Sequence, residues 1–321
     1  MLGFDELLSQ RTVVGDSVQC PVRGCQSCVP VQRRTFRRLP EFLCPTHRVY
    51  IGRSTFEYER DTENLLSRSK EDLDLLAAIR PFKRESRMAR ERSEDALTWN
   101  VFRHLKTSGR LIPWLGMLAC VKASMAVVHH WSFEASTRNT WQPLAKARSA
   151  FGELEGRGSE PDLVITTDDA HVWVEAKLGS SNDTTPSDVD GARRRYTSGG
   201  DGWYSSVVNS PFATVAVEQR RYELLRLWLL GSWAAAQHGK RFVLLNLVRE
   251  GLEEDVPSFA TRHFNQGTER LVRRLTWESL CRGIEGAPPH TAADAALLKY
   301  MKGKTLGYDG RGRLIRAFAL S

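Results

Sequence analysis

The sequence predicts an α/β protein in which a small cysteine-rich module precedes a larger domain of strands and helices. Three observations predict it. Two apolar runs of strand character are joined by a short polar turn near the middle of the chain, helical patterns lie on both sides of them, and four Cys and one His are crowded into 28 residues near the start. A chain of 321 residues is long enough for a full core plus a small module.

The cysteine-rich module is predicted to cover residues 1–58. Its pattern of Cys25-x2-Cys28, fifteen residues and Cys44-x2-His47 matches the two-knuckle spacing of a structural zinc site with one Cys replaced by His. Cys20-x4-Cys25 is an alternative first knuckle, because "CPVRGC" places Pro and Gly inside a tight turn, so four of these five residues are expected to bind Zn²⁺. Four such ligands close a tetrahedron, which gives the zinc a structural role.

Two further segments follow the module. Residues 59–92 are predicted to form a charged connector, with a short amphipathic helix in "SKEDLDLLAAIRPF" followed by a basic tract. Residues 93–321 are predicted to form the larger domain. Its later elements are a buried strand in "FVLLNLV", a strand and helix in "ERLVRRLTWESL", and a last helix near "AADAALLKYM".

The larger domain is predicted to begin with a helix that starts near Ser93. Leu97, Val101 and Leu105 make an apolar stripe along it, and Glu94 lies on the same stripe. Two interpretations of Glu94 stay open. Its carboxylate either points inward as a contact for a metal or water in the active site, or it is a first-turn acid favoured by the helix dipole behind an N-cap serine.

The most informative segment is a predicted β-hairpin. "DLVIT" and "HVWVEAK" are predicted to be its strands, with residues 167–170 as the turn. Asp162 follows a proline at the head of the first strand, and Glu175 and Lys177 come after a gap of twelve residues, at the end of the second. Strand alternation sends Trp173, Glu175 and Lys177 to one face, so the two charges share a face.

These residue types suit metal-assisted phosphoryl chemistry. Mg²⁺ or Mn²⁺ is bound by one or two carboxylates plus other oxygen ligands, a role that fits Asp162 and Glu175. Lys177 can orient the attacking water and offset negative charge in the transition state. The non-functional alternative is a surface hairpin in which Glu175 and Lys177 form an ion pair with each other.

Pro-Asp, a twelve-residue gap and Glu-x-Lys together resemble the PD-(D/E)XK phosphodiesterase superfamily. The resemblance implies a restriction-endonuclease-like mixed sheet flanked by helices. It also implies hydrolysis of phosphodiester bonds by metal-activated water, with 5′-phosphate and 3′-hydroxyl products. Asp162, Glu175, Lys177 and Glu94 would form the catalytic set, with Asp162 and Glu175 as the Mg²⁺ ligands.

The segment "VEQRRYELLRLWLLGSWAAAQ" is predicted to be one long helix. Gln219 lies one turn before Tyr222 on it, and the two are similar to the Gln and Tyr that exonuclease branches of this superfamily carry beside the active site. The usual spacing there is four, and here it is three. The resemblance makes Gln219 a candidate substrate contact, and the alternative is a core Tyr beside a solvated Gln.

Positive charge accompanies the hairpin. The chain has a formal net charge of +8, and Arg193, Arg194 and Arg195 follow the hairpin within a polar segment, 179–211, that is predicted to be a long mobile loop. Clusters of positive side chains favour binding to a nucleic-acid backbone, because binding releases counterions from the phosphates. These three arginines are therefore predicted to bind substrate phosphates.

Together these features predict a metal-dependent DNA phosphodiesterase, an endonuclease of a prokaryotic defence or restriction-like system. The alternatives are a zinc-stabilised nucleic-acid adaptor with an inactive nuclease fold, and a nuclease acting on RNA or branched junctions. The expected partner is DNA, with RNA as an open alternative, and protein partners of a defence system or a second copy of the chain are further candidates. The absence of an apolar stretch of eighteen residues or of a signal segment predicts a cytoplasmic protein without membrane contact.

Overall fold

The computed structural model describes residues 1–33, 35–83, 87–119, 121–154 and 158–320. Over these residues the chain is an α/β protein with a mixed five-stranded sheet flanked by helices. The strands are β1 Val13–Val14, β2 Ser17–Gln19, β3 Cys28–Pro30, β4 Val49–Ile51, β5 Phe56–Tyr58, β6 Ala126–His130, β7 Phe133–Glu134, β8 Asn139–Thr140, β9 Leu163–Thr167, β10 Ala170–Ala176, β11 Arg241–Val248, β12 Arg270–Thr276, β13 Thr305–Tyr308 and β14 Leu314–Arg316.

The helices alternate with the longer strands in the second half of the chain. They are α1 Lys70–Ile79, α2 Glu94–Thr107, α3 Leu111–Trp114, α4 Gln142–Ala150, α5 Val189–Gly202, α6 Tyr204–Val207, α7 Tyr222–Ala236, α8 Val256–His263, α9 Trp277–Glu285 and α10 Ala292–Gly303. Short 3₁₀ turns occur at Phe4–Glu6, Pro40–Phe42 and Asp61–Asn64, and π-helical turns at Leu115–Ala119 and Thr214–Glu218. Over the described parts of the chain, no helix combines the length and apolar character needed to cross a membrane.

The central sheet has the strand order β12-β11-β10-β9-β6. The hairpin β9–β10 and the β6–β9 pair are antiparallel, whereas β10, β11 and β12 run parallel through helical crossovers. The predicted hairpin and the buried strand after it are therefore confirmed. Because β10 lies at the centre of this sheet, all seven of its residues are buried, and its polar side chains are held in a fixed environment.

Helix α7 packs across the β10 face that carries Trp173. Its Gly231 allows this approach, since a Cβ at that position would collide with the ring of Phe242 on β11 and meet Trp173 at 3.1 Å. The surrounding core is aromatic, with Trp228 stacked on Phe264 at 5.0 Å between ring centroids. This packing fixes the height of α7 above the strand that ends in Glu175 and Lys177.

The chain divides into two compact units. The first comprises Met1–Leu73, Glu85–His104 and Trp277–Ser321, and the second Asp74–Arg84 and Leu105–Thr276. This division differs from the predicted boundaries at residues 58 and 92, because the C-terminal segment folds with the N-terminal module. Leu314 donates its backbone N–H to the Ser9 carbonyl at 2.9 Å, and the Tyr308 hydroxyl donates to the Leu8 carbonyl at 3.0 Å.

The segment that carries the three arginines is helical, so the prediction of a mobile loop there was wrong. Arg193, Arg194 and Arg195 lie on α5, and Asp188 caps it by accepting from the Gly191 N–H at 2.9 Å. Ala192 and Tyr196 anchor the helix, and Gly200 near its end is buried as well. Composition hid this pattern, because two buried positions one turn apart suffice to dock an otherwise polar helix.

Candidate functional site

Two acidic side chains meet at the end of the β9–β10 hairpin. The strand register pairs Val174 with Leu163, and continuing it by one residue places Asp162 opposite Glu175. Asp162 is fixed there, because its Oδ2 accepts a hydrogen bond from the backbone N–H of Ala176 at 2.8 Å. The structure thus brings together the two carboxylates that the sequence singled out.

Lys177 joins this pair on the same face. Its Nζ donates to Glu175 Oε1 and forms an ion pair with Glu223 Oε2 at 3.1 Å. Its backbone N–H is bonded to the carbonyl of Leu247 on β11 at 2.9 Å, which holds the residue directly after the end of β10. The Lys177 side chain is 12% exposed and that of Glu175 is 4% exposed, so the hairpin is not a surface feature, although the predicted pairing of Glu175 with Lys177 is present.

Burial and mutual interaction shift the pKa values of Glu175 and Lys177. Burial raises the pKa of Glu175 well above its ordinary value, with the neighbouring carboxylates of Asp162 and Glu223 adding to the rise and Lys177 opposing it. Burial lowers the pKa of Lys177, but attraction to Glu175, Glu223 and Asp162 outweighs burial and raises it overall. Three carboxylates therefore surround one ammonium, and the negative charge in excess favours a cation.

Glu223 is a residue of this group that sequence reasoning missed. It lies in the first turn of α7, where the positive end of the helix dipole favours an acid, and its N–H donates to Thr184 Oγ1 at 2.9 Å. The sequence does carry a signal, since Glu223 and Arg226 are the charged residues of the apolar run Tyr222–Ala236 and lie one turn apart. Only the packing of α7 over β10 shows that Glu223 reaches Lys177.

Arg226, which lies on α7 one turn after Glu223, is a second cation near this group of residues. Its guanidinium lies over the Tyr222 ring at 4.9 Å, and its buried Nε has no hydrogen-bond partner in the described part of the chain. Burial lowers the pKa of Arg226, and interactions with Tyr196, Tyr222, Glu153 and Glu223 raise it overall. A partly buried positive charge therefore also lies near the Glu223 carboxylate.

A buried polar network fixes the loop that runs from Lys177 to Thr184. Asn182 donates through Nδ2 to Asn246 Oδ1 and to Glu253 Oε2, both at 2.8 Å, and Asn246 donates to the same Glu253 oxygen at 2.6 Å. Asn246 is the β11 neighbour of Glu175 in the parallel register. Because this loop begins at Lys177 and ends at the residue that caps Glu223, the network positions both members of the ion pair.

Gln219 is not on α7, so the prediction of one continuous helix was wrong. It is exposed, and it follows the π-helical turn Thr214–Glu218. The helix is interrupted at Arg220, which has a φ of 54°, because the backbone of Thr184 bonds to Arg220 at 2.7 Å and to Tyr222 at 3.2 Å. The likeness to the exonuclease Gln and Tyr pair therefore loses its helical basis.

Glu94 begins α2, as predicted. Ser93 caps the helix by accepting from the Ala96 N–H at 3.0 Å, and Leu97, Val101 and Leu105 are buried. Glu94 is half-buried and belongs to the first compact unit, whereas Asp162, Glu175 and Lys177 belong to the second. A role for Glu94 in catalysis stays a prediction.

A second candidate site lies in the N-terminal module. Among the described residues, one group of three or more Cys, His, Asp or Glu side chains has all its ligand atoms within 4.8 Å of one another, and it consists of Cys20, Cys25, Cys44 and His47. Cys25 Sγ lies 3.8 Å from Cys44 Sγ, and His47 Nδ1 lies 3.6 Å from Cys20 Sγ and 3.8 Å from Cys44 Sγ. This cluster can hold a metal ion such as zinc.

The structure selects the first knuckle that the sequence left open. Cys28 is exposed and its Sγ donates to the Gln26 carbonyl at 3.9 Å, so it lies outside the cluster. The turn between Cys20 and Cys25 closes through Gly24, whose φ of 77° favours glycine. In the second knuckle the His47 N–H donates to Cys44 Sγ at 3.4 Å.

The thiols of the cluster differ in acidity. Burial raises the pKa of the Cys20 thiol, with the neighbouring thiols adding to the rise. For Cys25 burial acts in the same direction, but hydrogen bonds from the Ser27 side chain and backbone outweigh it and lower the pKa to about 7. Metal binding to this cluster therefore releases protons and is pH-dependent.

Comparisons of the chain with protein-family models, with curated proteins and with solved structures find no match. No match therefore assigns a role to the two groups of residues described above. Function is inferred from their chemistry and from the charged surface around them.

Proposed function

We propose that this chain is a metal-dependent phosphodiesterase that cleaves nucleic acid, with DNA as the primary substrate. The observation that carries the proposal is the buried ion pair of Glu175 and Lys177, placed against Asp162 and Glu223 at the end of the central strand β10. A buried ion pair is weak evidence for a stabilising role, whereas perturbed carboxyl groups beside a specific charge partner are typical of functional sites. A restriction-like endonuclease of a prokaryotic defence system is the setting that we propose for this activity.

The donor set at the hairpin fits Mg²⁺ or Mn²⁺. Asp162 and Glu175 supply hard carboxylate oxygens, and each carboxylate has about four lone-pair sites, of which Lys177 uses one on Glu175. Such ions need few protein ligands, because waters and substrate phosphate oxygens complete the coordination. The mutual repulsion of Asp162 and Glu175, which helps to raise the pKa of Glu175, would be relieved by a divalent cation.

Each residue has a separate role in the proposed reaction. Asp162 and Glu175 would hold the metal, whose chemistry is to polarise the scissile phosphate and activate water for in-line attack on phosphorus. Lys177 orients the attacking water and donates to the phosphate oxygens as negative charge develops. Glu223 holds the Lys177 ammonium in place, and the Asn182 network holds the loop between them.

Cleavage assays test the proposal directly. Full-length protein would be incubated with single-stranded, duplex and branched DNA and with RNA, each with Mg²⁺, with Mn²⁺ and with chelator. We expect metal-dependent cleavage of DNA that leaves 5′-phosphate ends. Binding of these substrates with no cleavage of any of them under either metal would instead assign the chain to the adaptor class.

We also propose that the Cys20, Cys25, Cys44 and His47 cluster binds one structural zinc ion. A tetrahedral zinc with bonds of about 2.3 Å to sulfur and 2.0–2.1 Å to nitrogen spans ligand separations of about 3.6–3.8 Å. Three of the six ligand separations in the cluster are 3.6–3.8 Å and agree with that size, and all six are within 4.8 Å. Four protein ligands leave no open position, so the ion would stabilise the fold.

Elemental analysis of protein purified without added metal should therefore give about one zinc per chain. Cys44→Ser should lose this zinc and destabilise the first compact unit, because Cys44 is fully buried among the other ligands. Cys28→Ser is the matched control and should retain the zinc. Equal zinc loss in both variants would contradict the ligand set.

The three arginines of α5 give a separate prediction about substrate binding. Arg193, Arg194 and Arg195 are exposed, and Arg193 forms one surface ion pair, with Asp190 at 3.1 Å. Changing all three to Ala should weaken binding and flatten the plot of log affinity against log salt by up to about 0.9 for each duplex phosphate that the protein no longer neutralises. The rate at saturating substrate should stay near wild type.

Ala substitution of Arg262 and of Arg311, two exposed arginines on other elements, provides the control for loss of net charge. If these variants changed the salt dependence as much per residue as the triple variant does, α5 would have no specific part in substrate binding. An unchanged salt dependence in the triple variant would mean that the three arginines contact solvent and not the nucleic-acid phosphates.

A further inference from the structure

Arg11 is a buried cation without an acidic partner. It is 4% exposed, its Nη2 donates to the Gly52 carbonyl at 2.8 Å, and its guanidinium lies over the Tyr308 ring at 4.7 Å. Its Nε and Nη1 are closed to solvent, and neither has a hydrogen-bond partner among the residues that the structure describes. Guanidinium keeps its proton in proteins, so this buried positive charge must be compensated by something other than deprotonation.

Ordinary counter-ions do not supply the compensation. Within the described parts of the chain, no carboxylate oxygen lies within 4.0 Å of the Arg11 nitrogens. The Tyr308 phenol is neutral, because burial raises its pKa, and its hydroxyl donates to the Leu8 carbonyl. An anion from solution does not reach Nε or Nη1 in this conformation, since both atoms are sealed.

The metal cluster is the remaining source of negative charge. Cys20 and Tyr308, the ring on which Arg11 lies, belong to one buried cluster of side chains. Burial lowers the pKa of Arg11 overall, and the electrostatic interactions that oppose this, with Tyr308 and with Cys20, offset it only in part. Zinc contributes two positive charges and the thiolates of Cys20, Cys25 and Cys44 three negative ones, so the centre with neutral His47 carries one net negative charge.

We propose that Arg11 is the internal counter-charge of the zinc centre, a positioning residue that neutralises the excess thiolate charge from outside the ligand set. The inference rests on the proposed zinc site and not on the nuclease activity. The Arg11 N–H is bonded to the Gly312 carbonyl at 2.8 Å, so the C-terminal hairpin holds the residue in place. Metal retention is thereby coupled to the C-terminal segment as well as to the two knuckles.

Zinc retention in two Arg11 variants tests the role of charge. Arg11→Met removes the charge and keeps most of the volume, and Arg11→Lys keeps the charge. We expect Arg11→Met to weaken zinc affinity by about 10–100-fold, the usual effect of losing an outer-shell partner, and Arg11→Lys to stay much closer to wild type. The measurement is zinc content on purification and competition with a chromogenic chelator. Arg33→Met, at an exposed arginine of the same module, is the control.

A second arm separates charge from packing. Cys20→His would make the centre Cys₂His₂ and neutral, so Arg11→Met should cost much less zinc affinity in that background than in wild type. Equal losses in both backgrounds, or an equal loss in Arg11→Lys and Arg11→Met, would overturn the proposal. So would stabilisation of the wild type, but not of Arg11→Met, by inorganic phosphate, which would make Arg11 a ligand site. Wild-type protein without zinc would instead refute the zinc site itself.

Discussion

Glu175→Gln and Asp162→Asn are each expected to abolish metal-dependent cleavage. Both changes keep the size and one oxygen of the side chain but remove a charged ligand from a set of two, which Mg²⁺ does not tolerate. Asn at position 162 can still accept the Ala176 N–H, so the hairpin should stay folded. Nucleic-acid binding should be unchanged or stronger, since a negative charge near the phosphates is removed. The measurements are single-turnover cleavage and equilibrium binding on the same substrate.

Asp169→Asn is the matched control, because it changes an acid in the turn of the same hairpin. The five residues of β9 separate this turn from Asp162 by about 17 Å at the usual rise per strand residue. Asp169 is exposed, and its carboxylate oxygen is 4.0 Å from Arg241 Nη1. Wild-type cleavage by the Glu175 or Asp162 variant would remove these residues from the reaction, whereas a loss in all three variants would point to damage to the fold.

Local patterns in the sequence were enough to predict the hairpin and the residues at its end. Alternation, a polar turn and a proline before Asp162 are short-range signals, and the side chains they place face to face are neighbours through the antiparallel register. The two-knuckle arrangement of the N-terminal Cys/His module is equally local. The choice between Cys20 and Cys28 as a ligand could not be predicted from local sequence, because it depends on how the β2–β3 ribbon orients each side chain.

The remaining features depend on contacts between distant parts of the chain. Glu223 meets Lys177 only because α7 crosses β10, and the interruption before α7 exists because the segment after Lys177 returns to bond with Arg220 and Tyr222. The association of Leu314 with Ser9 likewise joins the two ends of the chain. Propensity and periodicity describe one segment at a time, so they do not reveal such pairs.

Lys177→Ala is expected to reduce the cleavage rate by about 10²-fold or more, the usual scale for a positioned electrostatic or acid-base group. It should also destabilise the protein by about 3 kcal/mol, because it leaves Glu175 buried beside Asp162 and Glu223 without the ammonium. This loss of stability should be smaller at mildly acidic than at mildly alkaline pH. The pKa of Glu175 is already raised, so below that pKa the folded variant holds Glu175 in its neutral form and has no unpaired buried charge. As the pH rises through that pKa, Glu175 ionises without a partner and the folded state is destabilised.

Glu223→Gln distinguishes a residue that acts through Lys177 from one that acts directly. It removes one of the two carboxylates that hold the ammonium, so the rate should fall by about 10-fold, in the range seen for supporting residues. In the double variant Glu223→Gln should add little to Lys177→Ala, because the ammonium that it positions is already absent. Glu218→Gln, at an exposed acid just before α7, should leave the rate unchanged. Additive losses in the double variant would make Glu223 an independent participant, and the carboxylate set of the active site would then number three rather than two.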